Sequence, residues 1–505
     1  MLLLTLLHIF FVSFTDKPLA EQPALSPRAI EQRAKWNIDI NHLDYPVYAP
    51  YLDSLRHAGV EICHTSRWMN GATCRMSTDQ AAQVEQWRFI ASVEQTREDK
   101  VQSTEYKVQS TEYRVQSTED RERRTKHSLL TTQYSLLTTQ YSLLNTQYSL
   151  LNTQYSLLNT HYSILTTPYS LLNLTPLHQA GFEGQGILMA ICDGGFTNAH
   201  TLPCFRQELA LGHFDFTDDA DPFYGAEGTH GLACLSTISA LTDSYHGAAT
   251  RAQYYLMRSE EMHSESPKEM DNLIAALEKA DSLGVNIFSV SLGYFYFDNP
   301  EWNLSHDMLD GSTTRLSIAT TIAARKGMLV CVAAGNEAQS DWHKICVPAD
   351  ADSILSIGAV TATGEMSNFS SYGPSADGRI KPEVCAQGVQ TALIAPDGTV
   401  VQSNGTSFAA PTIAGLAASL WSALPNENAM QIRQRIIDSS DRAHNPDYQQ
   451  FGYGIPNAWK AYTLYAEQTP SIELNENKAR KIVRDGQIFI LRGEQLFTPT
   501  GQRVQ

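Results

Sequence analysis

Between residues 176 and 360, apolar strand-like segments alternate with amphipathic helical segments, and this alternation constrains the fold more than any other feature of the chain. The predicted strands are residues 186–191, 285–290, 328–333 and 354–360, and the predicted helices are residues 270–283 and 314–325. The pattern predicts a doubly wound α/β fold, a parallel sheet with helices on both faces. In such sheets the functional residues lie at the carboxyl ends of the strands, and Asp193 and Asn336 each follow a predicted strand.

A serine near the start of a helix is the strongest sign of chemistry. Ser407 lies between the turn at Asn404 and Gly405 and an apolar helical run over residues 408–421. A serine hydroxyl is a weak nucleophile unless a base takes its proton, and a helix start favours developing negative charge. Upstream, Asp193 ends an apolar run and His230 precedes a predicted helix. These three residue types can supply a nucleophile, a base and a carboxylate that orients the base.

Three segments resemble the subtilisin-like serine proteases (subtilases), over about residues 176–465. Residues 405–411, Gly-Thr-Ser-Phe-Ala-Ala-Pro, resemble the family's serine signature, and the order Asp, His, Ser is also the family's. Residues 333–336, Ala-Ala-Gly-Asn, resemble its oxyanion segment, and residues 291–293, Ser-Leu-Gly, its substrate-binding strand. The chain departs from the family at Gly194, usually Ser or Thr, and at Leu232, usually Thr.

The resemblance implies a secreted serine endopeptidase that hydrolyses polypeptides through an acyl-enzyme, with no catalytic metal. The implied site residues are the catalytic Asp193, His230 and Ser407, the oxyanion-hole residue Asn336, and the substrate-binding Ser291, Leu292, Gly293, Ala334 and Gly335. The alternative is a catalytically silent surface or adhesion module with the same fold. A lipase or esterase of the α/β-hydrolase class is excluded, because that class needs a Gly-x-Ser-x-Gly turn and the order Ser, Asp, His.

Composition limits the partners and the compartment. The 505 residues suffice for several domains, and a net charge of −17 argues against a nucleic-acid partner, which requires clustered positive charge. Residues 2–14 are almost wholly apolar, so we predict a signal peptide over residues 1–20, although its usual basic start is missing. This predicts export through the periplasm, to the medium or to the cell surface.

Two regions precede the predicted catalytic domain of residues 171–465. Residues 21–97 mix helical and strand-like segments and resemble the inhibitory propeptides of subtilases, so the domain's own propeptide is a predicted partner; a small accessory domain is the alternative. Residues 98–170 contain two arrays of near-identical heptapeptides, separated by a basic run at residues 121–126. Because the second array is rich in Ser, Thr, Asn and Tyr, which are weak helix formers, we favour a flexible linker over a helix or a strand-like repeat.

Residues 466–505 are predicted to be a linker followed by short strands over residues 478–505. These strands resemble the end of the C-terminal sorting domains of Bacteroidetes proteins exported by the type IX system, which implies an outer-membrane secretion machinery as a partner. A hairpin that packs on the enzyme is the alternative.

Cysteines and acidic loops leave two further expectations. Of eight cysteines, Cys63 and Cys74 flank a glycine-containing turn and are the candidate disulfide, whereas Cys192, Cys234 and Cys331 lie in apolar segments and are expected to be buried thiols. Residues 215–221 contain four aspartates, an oxygen-rich stretch that would suit calcium, although the spacing is not that of an EF-hand. A solvated acidic loop is the favoured interpretation.

Overall fold

A computed structural model describes residues 7–98, 171–218, 220–468 and the short strands 480–484, 487–492, 495–497 and 503–504. The heptapeptide array predicted to be a linker lies outside the described residues. Within the described part of the chain, no helix is both long and apolar enough to cross a membrane.

The large domain is built on a seven-stranded parallel sheet, which confirms the predicted fold class. Its strands are β5 (Leu188–Asp193), β6 (Ala210–Asp215), β7 (Gln253–Arg258), β8 (Ile287–Val290), β9 (Leu329–Ala333), β10 (Leu355–Val360) and β11 (Val384–Gln387). Their order across the sheet is β11-β10-β9-β8-β5-β7-β6. The chain therefore reverses direction across the sheet between β5 and β8, where open α/β sheets form their binding crevice.

Helices cover both faces of this sheet. Side chains of β5 alternate between two apolar clusters, with Met189 and Ile191 on one face and Leu188 and Ala190 on the other. The first face carries the helices Thr175–Gln179, Thr229–Ser239, Thr406–Ala423, Ala429–Ser439 and Ala458–Gln468. The second face carries the helices Pro267–Leu283 and Arg315–Arg325. The strands β5, β8, β9 and β10 are largely apolar because both of their faces are buried. A separate hairpin, β12 (Thr391–Ile394) with β13 (Val400–Ser403), precedes the helix at residue 406.

The N-terminal domain is a four-stranded antiparallel sheet with helices. Its strands are β1 (His8–Phe14), β2 (Glu61–Ser66), β3 (Gly71–Met76) and β4 (Ile90–Glu98), in the order β2-β3-β1-β4, and its helices are Pro27–Lys35, Ala49–His57 and Thr78–Val84. Residues 85–89 connect the last helix to β4.

Strand β1 overturns the prediction of a signal peptide over residues 1–20. It pairs with β3 on one side and β4 on the other, so its removal would take a central strand out of the sheet. Phe10 and Val12 face the core of the N-terminal domain, while Ile9 and Phe11 on the opposite face are also buried. The Arg315 guanidinium of the large domain lies 4.5 Å from the Phe11 ring. Because both faces of β1 are covered, its residues are apolar without a break. A continuous apolar run is also the pattern of the apolar part of a signal peptide. The predicted propeptide-like domain therefore begins before residue 21.

The candidate disulfide between Cys63 and Cys74 is not formed in the structure. All eight cysteines are free thiols. The register of β2 and β3 pairs Cys74 with Ile62, and a bulge between residues 62 and 64 leaves Cys63 without an opposite partner. The other expectation is confirmed, because Cys192, Cys234 and Cys331 are buried.

Short strands form near the C-terminus, as predicted. Strands β14 (Arg480–Arg484), β15 (Gln487–Arg492), β16 (Gln495–Phe497) and β17 (Arg503–Val504) pair in sequence order as an antiparallel sheet. Their role in sorting stays a prediction.

A buried carboxylate of the large domain holds the turn between β2 and β3. Glu278, on the helix Pro267–Leu283, accepts hydrogen bonds from Ser66 Oγ (2.6 Å), Arg67 N (2.9 Å) and Trp68 N (3.1 Å). One turn further along this helix, Asp281 binds the guanidinium of Arg67 at 2.5 Å. The N-terminal domain thus contacts this helix through buried charged groups, which require partners in an environment without water.

We expect Glu278→Ala to loosen the N-terminal domain, because it leaves three donors buried without an acceptor. The substitution should lower the free energy of unfolding by roughly 2–5 kcal/mol. Hydrogen exchange measured on the intact chain should become faster in β2 and β3. The matched control is Glu61→Ala on β2, whose side chain is 61% exposed and pairs with Arg75 at the surface. If β2 and β3 are equally protected from hydrogen exchange in Glu278→Ala and Glu61→Ala, Glu278 does not hold the turn between these strands.

Candidate active site

The predicted site residues meet at the carboxyl edge of the sheet. Asp193 is the last residue of β5, and Ser291 directly follows β8, the strand next to it. A cleft of about 340 Å³ opens at this edge. Eight of the nine predicted site residues line it: Asp193, His230, Ser291, Leu292, Gly293, Gly335, Asn336 and Ser407.

Ala334 is the ninth, and the structure does not bring it to the cleft. Its side chain is fully buried. Its N–H donates to Ile357 O at 3.0 Å, and its carbonyl accepts from Cys346 N at 3.1 Å. With both backbone groups engaged inside the protein, Ala334 cannot pair with a substrate backbone. Ala333 lines the cleft in its place.

Asp193 and His230 form a hydrogen-bonded pair. His230 Nδ1 lies 2.8 Å from Asp193 Oδ1, which also accepts the backbone N–H of Gly194 at 2.9 Å. Asp193 is buried, and its carboxylate raises the pKa of His230 well above the ordinary value. The His230 side chain remains 44% exposed, so its ring edge can reach a bound substrate.

Glycines allow the His230 helix to approach Asp193. A side chain at Gly231 would overlap the carbonyl oxygen of Gly195 and lie 2.9 Å from Asp193 Cβ. A side chain at Gly228 would overlap the backbone at Gly195. The Gly-Thr-His-Gly segment is therefore a packing requirement as well as a sequence signature. The departure at Leu232 places an apolar side chain in the core of the large domain.

Ser407 is the second residue of the buried helix Thr406–Ala423, so its N–H has no partner within the helix. Among the described residues, its hydroxyl donates one hydrogen bond, to Ser291 O at 3.5 Å, and none to His230. Bonds that serve catalysis are often long or unformed before substrate binds. Two contacts fix the Ser407 backbone: its carbonyl accepts from Ser291 Oγ at 2.8 Å and from Cys234 Sγ at 3.2 Å.

Asn336 is oriented by Thr406. The backbone N–H and the hydroxyl of Thr406 both donate to Asn336 Oδ1, at 2.9 and 3.0 Å. An amide N–H can only donate, so the atom that it meets must be the oxygen, which fixes the orientation of the carboxamide. The Nδ2 group is then the end available to an oxyanion in the cleft.

Three residues with a role in the site were missed from sequence. Cys234 lies one turn after His230, with Sγ 3.9 Å from His230 Nδ1, and helical spacing would have indicated it. Cys346 is buried against the cleft wall, where its Sγ would lie 2.6 Å from a Cβ placed on Gly335, whose φ of +106° also favours glycine. Glu260 lines the cleft two residues after β7, and no local sequence signal distinguishes it from its acidic neighbours.

The acidic stretch at residues 215–221 makes ion pairs. Asp215 binds Arg258 at 2.6 Å, Asp218 binds Lys268 at 2.9 Å and Arg75 at 2.6 Å, and Asp219 lies outside the described residues. Within the described ranges, the one set of three metal-ligand side chains with their ligand atoms within 4.8 Å is Asp193, His230 and Cys234, which overlaps the proposed catalytic pair. Calcium binding stays the less favoured alternative for this stretch.

Comparisons with known proteins identify the family of this chain. Residues 184–454, more than half of the chain, match the model of the Subtilase family, and residues 9–118 match the model of the Peptidase S8 propeptide domain, Bacteroidota. The chain is 28% identical to Subtilisin NAT of Bacillus subtilis subsp. natto over 56% of this chain and 68% of that protein. It is 28% identical to Subtilisin DY of Bacillus licheniformis over 55% of this chain and 91% of that protein. A crystal structure of MycP1 from the ESX-1 type VII secretion system superposes with a TM-score of 0.46 at 22% identity, covering 58% of this chain and 84% of that one.

We expect Asp193→Asn to lower the pKa of His230, because the carboxylate that stabilises the imidazolium is lost. Neutral imidazole, the form that can act as a base, would then persist to lower pH. An NMR titration of the His230 ring in the full chain measures this shift. Asp221→Asn is the control, since it removes a carboxylate 3.2 Å from another histidine, His263, and should leave His230 unchanged. An unaltered His230 titration in Asp193→Asn would contradict the assignment.

Proposed function

Because the chain belongs to the subtilase family and is a serine-type endopeptidase, we propose that Asp193, His230 and Ser407 are its catalytic triad. The observation that carries this proposal is the 2.8 Å contact between His230 Nδ1 and Asp193 Oδ1 in a cleft that Ser407 also lines. With Nδ1 held by the carboxylate, Nε2 is the ring nitrogen left to accept the serine proton.

The proposed reaction runs through an acyl-enzyme. Ser407 Oγ attacks the scissile carbonyl while His230 takes its proton, and the imidazolium is stabilised by Asp193. His230 then gives the proton to the leaving amine, and a water molecule activated by the same histidine hydrolyses the acyl-enzyme. Asn336 Nδ2 and the Ser407 N–H would donate to the oxyanion, since Thr406 holds the Asn336 oxygen and leaves Nδ2 for this role.

The walls of the cleft suit an extended peptide. Backbone groups of Ser291, Leu292 and Gly293 lie along the edge after β8, where a substrate strand could pair with them. A Cβ on Gly293 would lie 2.7 Å from Cys346 Cβ, so only glycine leaves this wall open. The polypeptide substrate would bind with its scissile bond over Ser407.

We expect Ser407→Ala to abolish peptide hydrolysis and labelling by a fluorophosphonate probe, because no other described hydroxyl shares the cleft with His230 in the same position. Circular dichroism should remain that of the wild-type chain. Ser422→Ala, on the same helix but remote from the cleft, is the matched control and should keep both activities. Wild-type turnover in Ser407→Ala would refute the triad, and an unlabelled wild-type enzyme would favour the silent surface module.

The N-terminal domain is proposed to be the inhibitory propeptide of this enzyme. Its sequence matches a propeptide domain model of the family. It binds the large domain through buried charges, and its last strand, β4, runs toward the cleft. Arg97 on β4 pairs with Glu261 at 3.3 Å, next to the cleft residue Glu260. The end of β4 therefore lies close to the cleft, as an inhibitory propeptide requires.

We expect the chain to be made as an inactive precursor and cut between Glu94 and Leu174. Separation of the N-terminal domain would open the cleft, whereas the repeats should tolerate loss of several copies because loop length changes stability only logarithmically. N-terminal sequencing of the active enzyme measures the cut. Full activity of a chain with the N-terminal domain still attached and the linker uncut would contradict this role.

Secretion and cell-surface location stay predictions, as does recognition of the C-terminal strands by an outer-membrane secretion machinery. The apolar segment that indicated export is strand β1, so this support is lost.

A further inference from the structure

Glu260 is a carboxyl residue of the cleft that the proposed reaction does not use. It follows β7 by two residues and lines the cleft together with Met262. It lies beside Gly194, where an added Cβ would be 3.5 Å from Glu260 Cβ. Because Gly194 directly follows Asp193, Glu260 is on the side of the cleft that carries the Asp193–His230 pair. The hydroxyl of Tyr294 donates to Glu260 Oε1 at 2.9 Å.

Glu260 differs from the neighbouring Glu261 in its partners. Glu261 is buried and binds two cations, Lys268 and Arg97. None of the described lysines and arginines forms an ion pair with Glu260. One carboxylate is therefore neutralised inside the protein, while the other is presented to the cleft without a positive partner.

The cleft as a whole is negative. Four carboxyl residues line it, namely Asp193, Glu227, Glu260 and Glu337, and His230 is the only basic residue of the lining. A peptide that enters this cleft meets a negative potential, which attracts basic side chains and repels acidic ones.

The surroundings of Glu260 favour its neutral form when the cleft is empty. Burial and the carboxylates of Glu265 and Asp193 raise the pKa of Glu260 to about 8, against the hydrogen bonds with Tyr294 and Glu269, which lower it. His230 and Glu227 face it across the cleft lining. A cationic side chain at hydrogen-bond distance would stabilise the ionised form and displace the proton to solvent.

We propose that Glu260 is a specificity-determining residue that receives a lysine or arginine side chain of the substrate, on the His230 side of the cleft. This proposal rests on the proposed function, because it requires a peptide seated over Ser407. A buried carboxylate without a cation is costly, and the substrate would supply the missing charge. Arg97 of β4, already paired beside it with Glu261, has the same chemistry.

The test compares pairs of peptides that differ only in lysine or norleucine at one position N-terminal to the scissile bond. We measure kcat/KM for each pair with active enzyme prepared from the full chain. Wild type should prefer lysine at one position by roughly ten- to a hundred-fold, the scale of a hydrogen bond to a charged group. Glu260→Gln should reduce that ratio to near one. Glu365→Gln is the matched control, since it removes an exposed carboxylate outside the cleft and should keep the ratio.

The ratio also has a pH dependence that a purely structural glutamate would not produce. As pH rises from about 6.5 to about 9, Glu260 ionises and the preference for lysine should grow, while lysine itself stays charged. The titration of His230 affects both peptides of a pair and cancels in the ratio. In Glu260→Gln the ratio should be flat with pH.

The outcomes separate this proposal from the proposed function. Hydrolysis by wild type with no lysine preference, or with a preference that Glu260→Gln leaves intact, would overturn the role of Glu260 and leave the triad standing. Absence of hydrolysis and of fluorophosphonate labelling in wild type would contradict the triad. The role of Glu260 would then be contradicted too, because it requires a peptide seated over Ser407. If Glu260→Gln does not fold, the pH dependence of the wild-type ratio decides, since a flat ratio overturns the proposal.

Discussion

The parallel pairing of β5 with β8 determines where the chemistry of this protein can occur. These strands adjoin at the point where the chain reverses its direction across the sheet, so their carboxyl ends bring Asp193 and Ser291 to one edge. The helix that carries His230 reaches this edge because Gly228 and Gly231 have no side chains to separate it from the loop after Asp193. The buried helix that begins at Thr406 then brings Ser407 to the same cleft. Each group of the proposed triad comes from a different element, and the sheet sets their common position.

Electrostatics connects this edge to the N-terminal domain. The helix Pro267–Leu283 carries buried acidic groups along its length. Arg67 of the N-terminal domain pairs with Asp281, and Arg315 of the large domain pairs with Asp271. Glu278 accepts hydrogen bonds from the turn between β2 and β3. Glu261, which precedes the helix, forms an ion pair with Arg97 at the end of β4. The same concentration of carboxyl groups that holds the N-terminal domain extends into the cleft at Glu260. Charge complementarity is therefore one physical basis both for the contact with the N-terminal domain and for the basic substrate that we propose.

The N-terminal region shows why local pattern alone can mislead. An apolar segment near the start of a chain predicts a signal peptide, but β1 is apolar because one of its faces packs on its own domain and the other lies toward the large domain. The disulfide prediction failed for a related reason, since the strand register, which depends on a bulge near Cys63, decides which residues face each other.

The sequence alone predicted the fold class and nine site residues, of which eight line the cleft. This was possible because alternating strands and helices and short sequence motifs are local patterns. It could not place Ala334, whose backbone bonds to Ile357 and Cys346 come from distant parts of the chain. It also could not distinguish Glu260 from Glu261, since the two acidic residues are adjacent in sequence. In the folded chain Glu261 pairs with two cations, whereas Glu260 lines the cleft. Partners, burial and therefore pKa depend on contacts between residues far apart in sequence, and only the tertiary structure creates these contacts.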